Sequence, residues 1–284
     1  LLFVTSSKII MYLFFGSLLV TSLGLIDDLY GLSGSIKLLG LSGAVILVAP
    51  AGLTTSFFPA APYGFYLNLL ITIFWVLLLV SAINAIDNMD GLAPGLALIA
   101  SLMFFVIGAI QFPQTTWALV SIGFTGSLLG FLLFNFYPAT IFLGDTGSFL
   151  IGFILAMLSL MGNWSTHPLK SIIIPFVILF IPIMDLVFVL FFRYLTGDTD
   201  SLQESIEYSA QDHLSHRIQQ VRNFGQRRTV LIIYVLGLIS GITGVIMRNT
   251  HPLEATLALV SVSLLYFLII ILLLPNLNNI FWRW

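Results

Sequence analysis

The chain has 284 residues, of which 59% are hydrophobic and only 8% are Asp, Glu, Lys or Arg, against roughly 25% charged in a soluble domain. That excludes a water-soluble globular enzyme, and a net charge of −2 with no basic stripe excludes a nucleic-acid binder. With no cysteine there are no disulfides, no Cys-ligated zinc and no thiol catalysis.

Unbroken apolar runs, in place of short alternating strands, rule out a porin-like barrel. The expected fold class is all-α: a polytopic transmembrane helical bundle, with residues 1–284 as one membrane domain. A bilayer core takes about 20 apolar residues per helix. Cutting the chain at charges, Pro/Gly clusters and Asn/Asp predicts nine spans in chain order, at 9–26, 38–58, 65–83, 95–112, 117–137, 149–161, 171–192, 229–247 and 256–274.

Parity then sorts the charges. Seven of the ten Lys and Arg (Lys37, Arg193, Arg217, Arg222, Arg227, Arg228 and Arg283) fall on one face, and three (Lys8, Lys170 and Arg248) on the other. The positive-inside bias predicts that the first face is cytoplasmic. Ten of the twelve acids lie on that face, Asp185 lies in a helix near it, and Glu254 alone is opposite. A transporter places its ionisable groups near the midplane, often in two repeated halves. Acids crowded at one mouth, with no internal repeat, favour a membrane enzyme over a cation-coupled transporter, which stands as the alternative.

Four segments on the predicted cytoplasmic face carry the chemistry. The first runs from Gly24 through the adjacent pair Asp27-Asp28 to Ser33 and Lys37. Two carboxylates at a helix C-terminus repel each other and the helix dipole, so they call for a cation such as Lys37 or a divalent metal. The second is Asn84-Ala-Ile-Asp87-Asn88-Met-Asp90-Gly91-Leu92. Its threefold spacing is expected to put Asn84, Asp87 and Asp90 on one face of a helical turn, as oxygen donors for a hard cation.

The third segment, Asn135 to Ser148, contains Phe142-Leu-Gly144-Asp145-Thr-Gly147-Ser148. Asp145 can cap the helix that follows, or the glycines can admit a ligand to amides that receive phosphate. The fourth, Asp212-His213-Leu-Ser215-His216-Arg217, sits in a 193–228 loop with Arg222, Arg227 and Arg228. If helical, it places His213 and His216 on one face, as a weak zinc pair or as donors that grip phosphate beside Arg217.

These four segments, in this order, resemble the polyprenyl-phosphate N-acetylhexosamine-1-phosphate transferases from about Gly16 to Gly225. The acidic pair, the Asn-x-x-Asp element with Asn88 in place of a glycine, the Gly-Asp-x-Gly-Ser element and the His loop each find a counterpart. Asp185 and Arg193 stand where the family tends to have an acid and a base. The family usually carries one or two further helices before the acidic pair, so the N-terminus is expected to be incomplete. Ser215 replaces a frequent third His, and the loop looks closer to the teichoic-acid and O-antigen branch than to the peptidoglycan phospho-MurNAc-pentapeptide branch.

The resemblance implies transfer of N-acetylhexosamine-1-phosphate, by default GlcNAc-1-phosphate, from a UDP-N-acetylhexosamine to polyprenyl phosphate with release of UMP, at the bacterial cytoplasmic membrane. It implies a Mg²⁺ cofactor, with Mn²⁺ as a substitute, held by Asn84 and Asp145. Asp27, Asp28, Asp87, Asp90, His213 and His216 are the expected catalytic groups. Lys37, Asn88, Gly144, Arg193 and Arg217 are the expected substrate-binding groups. The bilayer and the two substrates are the expected partners, no nucleic acid is among them, and a homodimer is left open.

Overall fold

The computed structural model describes residues 2–59, 61–111, 115–161, 164, 168–196 and 213–273. Eleven α-helices lie among them: α1 (Leu2–Tyr30), α2 (Gly34–Val48), α3 (Pro62–Ile86), α4 (Leu92–Val106), α5 (Thr115–Asn135), α6 (Gly144–Met161), α7 (Pro168–Ile178), α8 (Phe180–Thr196), α9 (Leu214–Arg222), α10 (Gln226–Met247) and α11 (Pro252–Leu273). A 3₁₀ turn (Ala49–Ala51) extends α2, and a π turn (Ile107–Gln111) extends α4. No strand occurs among the described residues.

Each of the nine predicted spans contains helix, but they are not equivalent, and the second, expected to run to residue 58, ends as helix at Ala51, where Gly52 turns the chain with φ +78°. Among the described residues, six helical stretches are long and apolar enough to cross a membrane: Ser7–Tyr30, Gly34–Ala51, Tyr63–Ile86, Leu92–Ala109, Thr116–Asn135 and Gln226–Met247. Two more, Gly144–Leu160 and Pro252–Tyr266, are shorter apolar helices. The stretch expected as one span at 171–192 is a broken pair, with α7 and α8 meeting at 79°.

Proline causes the break. Pro182 has no N–H to offer the carbonyl of Ile178, and Pro175 removes a second donor inside α7. Next to the Ile178 carbonyl, Ser240 Oγ of α10 donates to Val177 O, a bond between helices at the bend.

The core runs through the middle of the bundle, with α6 packed against α1, α3 and α4. Small residues set these distances. A Cβ on Gly152 would stand 2.5 Å from the Val80 backbone of α3, and one on Gly24 would stand 2.5 Å from the Asp145 carbonyl. Glycine at these crossings lets helix backbones touch, as membrane helix interfaces require. The Gly24 contact draws the end of α1, with its two acids, onto the start of α6.

Candidate active site

One end of the bundle gathers the acids. Asp27 and Asp28 close α1, Lys37 lies in the first turns of α2, Asn84 is near the end of α3, and Asp145 is in the first turn of α6. Lys37 Nζ sits between two carboxylates, 2.5 Å from Asp27 Oδ2 and 3.3 Å from Asp145 Oδ2. Asp27 is buried and also accepts the Leu32 amide at 2.7 Å, which folds the turn between α1 and α2 over it. Asn84 donates to Asp145 Oδ1 at 2.7 Å and to Ser148 Oγ at 3.0 Å. Four helices therefore meet through Asp27, Lys37, Asn84 and Asp145; Lys37 and Asn84 are 108 and 61 residues from Asp145 in sequence.

Asp28 has a different occupation from its neighbour. It accepts the backbone amides of Asp145 (2.8 Å) and Thr146 (3.0 Å) and the Thr146 hydroxyl (2.5 Å). The first amides of a helix lack internal partners, and a negative charge there is favourable. Asp28 is therefore the N-terminal anion of α6, the position expected either of Asp145 itself or of a phosphate. Gly144 is tied to the same contact: it has φ +63°, and a Cβ there would lie 2.8 Å from Asp28 Oδ2.

The Asn84–Leu92 element does not continue as a helical turn. α3 stops at Ile86, and Asp87 leaves it with φ −77° and ψ 49°, so the three acceptors do not share a helical face. Gly91 turns the chain with φ +79° into α4. Asn135 Oδ1 accepts its N–H at 3.0 Å, and Tyr234 of α10 donates its hydroxyl to its carbonyl at 2.5 Å. Asp90 accepts the Ala139 amide at 3.1 Å, which joins this loop to the one before α6. Asn88 donates to Ala85 O at 3.1 Å and accepts from Ser215 Oγ of α9 at 2.7 Å.

Asp87 lies in the loop between two spans. Burial, then the Asp145 and Asp90 charges, push its carboxyl up to about 7. Asp27 and Asp145 share the single charge of Lys37, so carboxylate charge there exceeds what Lys37 offsets.

The loop expected at 193–228 is helical at both ends, with residues 193–196 closing α8 and 226–228 opening α10; between them it is described from His213 onward, and Asp212 and the Arg222 side chain lie outside the described residues. α9 begins only at Leu214, with His213 extended at its N-cap (φ −65°, ψ 155°). The expected His213–His216 face therefore does not form. His213 Nδ1 lies 2.7 Å from Asp185 Oδ2, and His216 is half-buried inside α9. Arg217 is buried, with its guanidinium 5.2 Å from the Phe188 ring centroid, and Arg193 is buried in the last turn of α8.

Among the described residues no three His, Asp or Glu side chains are grouped to hold a metal, so the zinc pair finds no third ligand there. The oxygen donors at the mouth suit a hard cation in kind. Mg²⁺ takes one or two carboxylates and completes its shell from phosphates and water, and excess carboxylate charge around Asp145 and Asp87 matches that demand. Thr146, Ser148, Asn135 and Tyr234 organise the site and were not singled out from sequence. Asn135, Thr146 and Ser148 lie inside the third motif, whereas nothing local marks Tyr234 among the apolar residues of its helix.

Comparison with known proteins agrees with this constellation. Residues 10–163 match the model of glycosyl transferase family 4. The probable undecaprenyl-phosphate N-acetylglucosaminyl 1-phosphate transferase of Bacillus subtilis is 34% identical over 239 residues, 82% of this chain and 64% of its own length. A decaprenyl-phosphate N-acetylglucosaminephosphotransferase of Mycobacterium leprae is 30% identical over 244 residues, 76% of this chain and 59% of its own. A phospho-N-acetylmuramoyl-pentapeptide-transferase of Staphylococcus saprophyticus is 33% identical over 172 residues, 61% and 49%. The chain thus spans about three fifths of the length of the first two curated relatives. With its acidic pair, Asn-Asp loop and Gly-Asp helix start all inside the matched region, the chain belongs to glycosyl transferase family 4.

Proposed function

We propose that this chain transfers GlcNAc-1-phosphate from UDP-GlcNAc to a polyprenyl phosphate and releases UMP, with its acidic mouth on the cytoplasmic side of a bacterial membrane. The observation that carries the reading is the convergence of Lys37 and Asn84 on Asp145 at the end of a membrane bundle. The names of the B. subtilis and M. leprae relatives supply the reaction class. An apolar acceptor arrives from the bilayer and a nucleotide from water, so a reaction joining them belongs at such a mouth.

In the reaction, a phosphate oxygen of the lipid forms a bond to the sugar-linked β-phosphorus of the UDP-sugar. The bond from that phosphorus to the bridging oxygen breaks, and UMP leaves with the electron pair. A phosphate monoester has a second pKa of about 6, so the acceptor is already ionised near neutrality and needs no strong base. This suits Asp27, which is an ion-paired carboxylate rather than a free one.

Lys37 neutralises charge between Asp27 and Asp145 and can yield one contact to an incoming phosphate oxygen. Asp28 fixes the first turn of α6, and with it the position of Asp145. His216 and Arg217, and His213 when its ring is protonated, are donors for developing phosphate charge, the kind of preorganised stabilisation on which phosphoryl transfer depends. Asp145 and Asn84 would hold Mg²⁺, which when bound supplies charge neutralisation for the pyrophosphate.

The test is UMP release by the purified chain in detergent, with polyprenyl phosphate and a panel of UDP-sugars, with and without Mg²⁺. Release with UDP-GlcNAc above UDP-glucose, and only with the divalent ion, is expected. Release from UDP-MurNAc-pentapeptide alone would move the chain to the other branch of its relatives, and no release with any donor would contradict the transferase reading.

A further inference from the structure

We propose that Asp185 is a positioning residue, whose single carboxylate fixes the ring orientation of His213 and starts α9. The proposal deepens the reading of His213 as a site residue and rests on it.

Asp185 lies within α8, just past the break from α7, and is 1% exposed. Its Oδ2 meets His213 Nδ1 at 2.7 Å, and its Oδ1 accepts the Leu214 amide at 2.8 Å. An ionised carboxylate only accepts, so Nδ1 carries the proton and Nε2 is left as the ring nitrogen that Asp185 does not engage. The partner of one ring nitrogen sets the tautomer of the other. A neutral His213 is therefore held with an unprotonated Nε2.

The second bond serves the backbone. Leu214 is the first residue of α9, its amide is one of the donors a helix start leaves unpaired, and the His213 side chain makes no cap of its own. Asp185 supplies the cap from another helix.

The consequence reaches the acidic loop. α9 is held to α8 through Asp185 and through Arg217 on Phe188, and it is held to the Asp87–Gly91 loop through Ser215 and Asn88. Ser215 is 1% exposed, so this contact is enclosed. A nine-residue helix tied at both sides passes the placement of α8 to the loop that carries Asp87 and Asp90. The carboxylate that reads as one more buried acid in the sequence thus registers the broken intramembrane pair against the mouth.

Asp185→Asn is the deciding variant. Its amide oxygen can keep the Leu214 cap while its NH₂ faces His213 Nδ1, which reverses the tautomer. ¹⁵N spectra of histidine-labelled protein, with His213 assigned among the four histidines by loss of its signal in His213→Gln, read this directly. The proposal expects the Nδ1–H form in the parent chain and the Nε2–H form in the variant. An unchanged tautomer overturns it.

In the UMP assay, Asp185→Asn should lower kcat about tenfold or more, with KM for UDP-GlcNAc within about twofold, as loss of a residue supporting a site group does. The same substitution added to His213→Gln should cost no further activity, because the pair acts as a unit. Effects that multiply would overturn the proposal, showing that Asp185 acts elsewhere. If Asp185→Asn fails to fold, His213→Gln tests the pair from the other side, since it leaves Asp185 to cap Leu214. A His213→Gln chain with unchanged kcat would also overturn it. A parent chain that releases no UMP contradicts the proposed reaction, and the tautomer measurement then decides the positioning claim alone.

Discussion

The two ends of the bundle both bury polar groups, but they use them differently. At the end away from the acids, Asn68 and Lys170 are bonded to nearby backbone. Asn68 Oδ1 accepts the amides of Phe57 and Phe58 at 3.0 and 3.1 Å, its Nδ2 donates to Phe58 O, and Thr55 and Thr72 close the same knot. Lys170 Nζ donates to two carbonyls just beyond α10, 2.6 Å from Arg248 O and 2.5 Å from Thr250 O. At the acidic mouth, one lysine faces two carboxylates, and a third carboxyl nearby is pushed up to about 7 by burial and its neighbours. Satisfied polarity marks a structural seam, whereas a surplus of one sign marks a place for a ligand of the other sign.

The largest expected contrast is between the two lysines. Lys37→Met should lower UMP release about a hundredfold, the scale for removing one preorganised charge partner, with little change in melting temperature once Mg²⁺ is present. Lys170→Met should leave turnover within about twofold. It strands two carbonyls, each worth about 1–3 kcal/mol if left without a donor, so a lower melting temperature is expected. Steady-state kinetics and thermal melts on both variants measure this, and equal effects on turnover would erase the distinction between the ends.

Asn68→Ala is the next contrast. It leaves the Phe57 and Phe58 amides without their acceptor, and a destabilisation of about 2 kcal/mol with unchanged kcat is expected. Thermal unfolding in detergent against the parent chain checks it.

The smallest effect is a pH dependence confined to the mouth. Asp87 has its folded pKa raised from 3.8 to about 7, so the folded state binds the extra proton between those values. Its contribution to stability is present at low pH and is lost as pH rises through about 7. In EDTA, Asp87→Asn should therefore melt above the parent at pH 8, with the difference shrinking towards pH 5. A constant difference would mean that Asp87 is not held against the neighbouring charges.

The sequence made much of this legible, for identifiable reasons. Apolar runs bounded by Asp27, Asn84, Asn135 and Asp145 marked helix ends because charges and amides cannot stay within the bilayer, and parity put those ends together. The bend between α7 and α8 was missed although Pro175 and Pro182 announce it, because hydropathy alone continues through both. The division of labour between Asp27 and Asp28 was not legible either. It follows from the close approach of Gly24 to α6, which turns one of two adjacent acids onto helix amides and the other onto Lys37. Likewise, helical spacing suggested a His213–His216 face, but a partner 28 residues away, Asp185, holds His213 outside the helix.

The central claim is that the surplus charge around Asp145 performs phosphoryl transfer, and one substitution reaches it most directly. Asp145→Asn preserves size and an acceptor for Asn84 while removing the charge shared with Lys37. UMP release from UDP-GlcNAc and polyprenyl phosphate should fall to background while the folded fraction and melting temperature stay near those of the parent. Undiminished Mg²⁺-dependent turnover in that variant would contradict the claim.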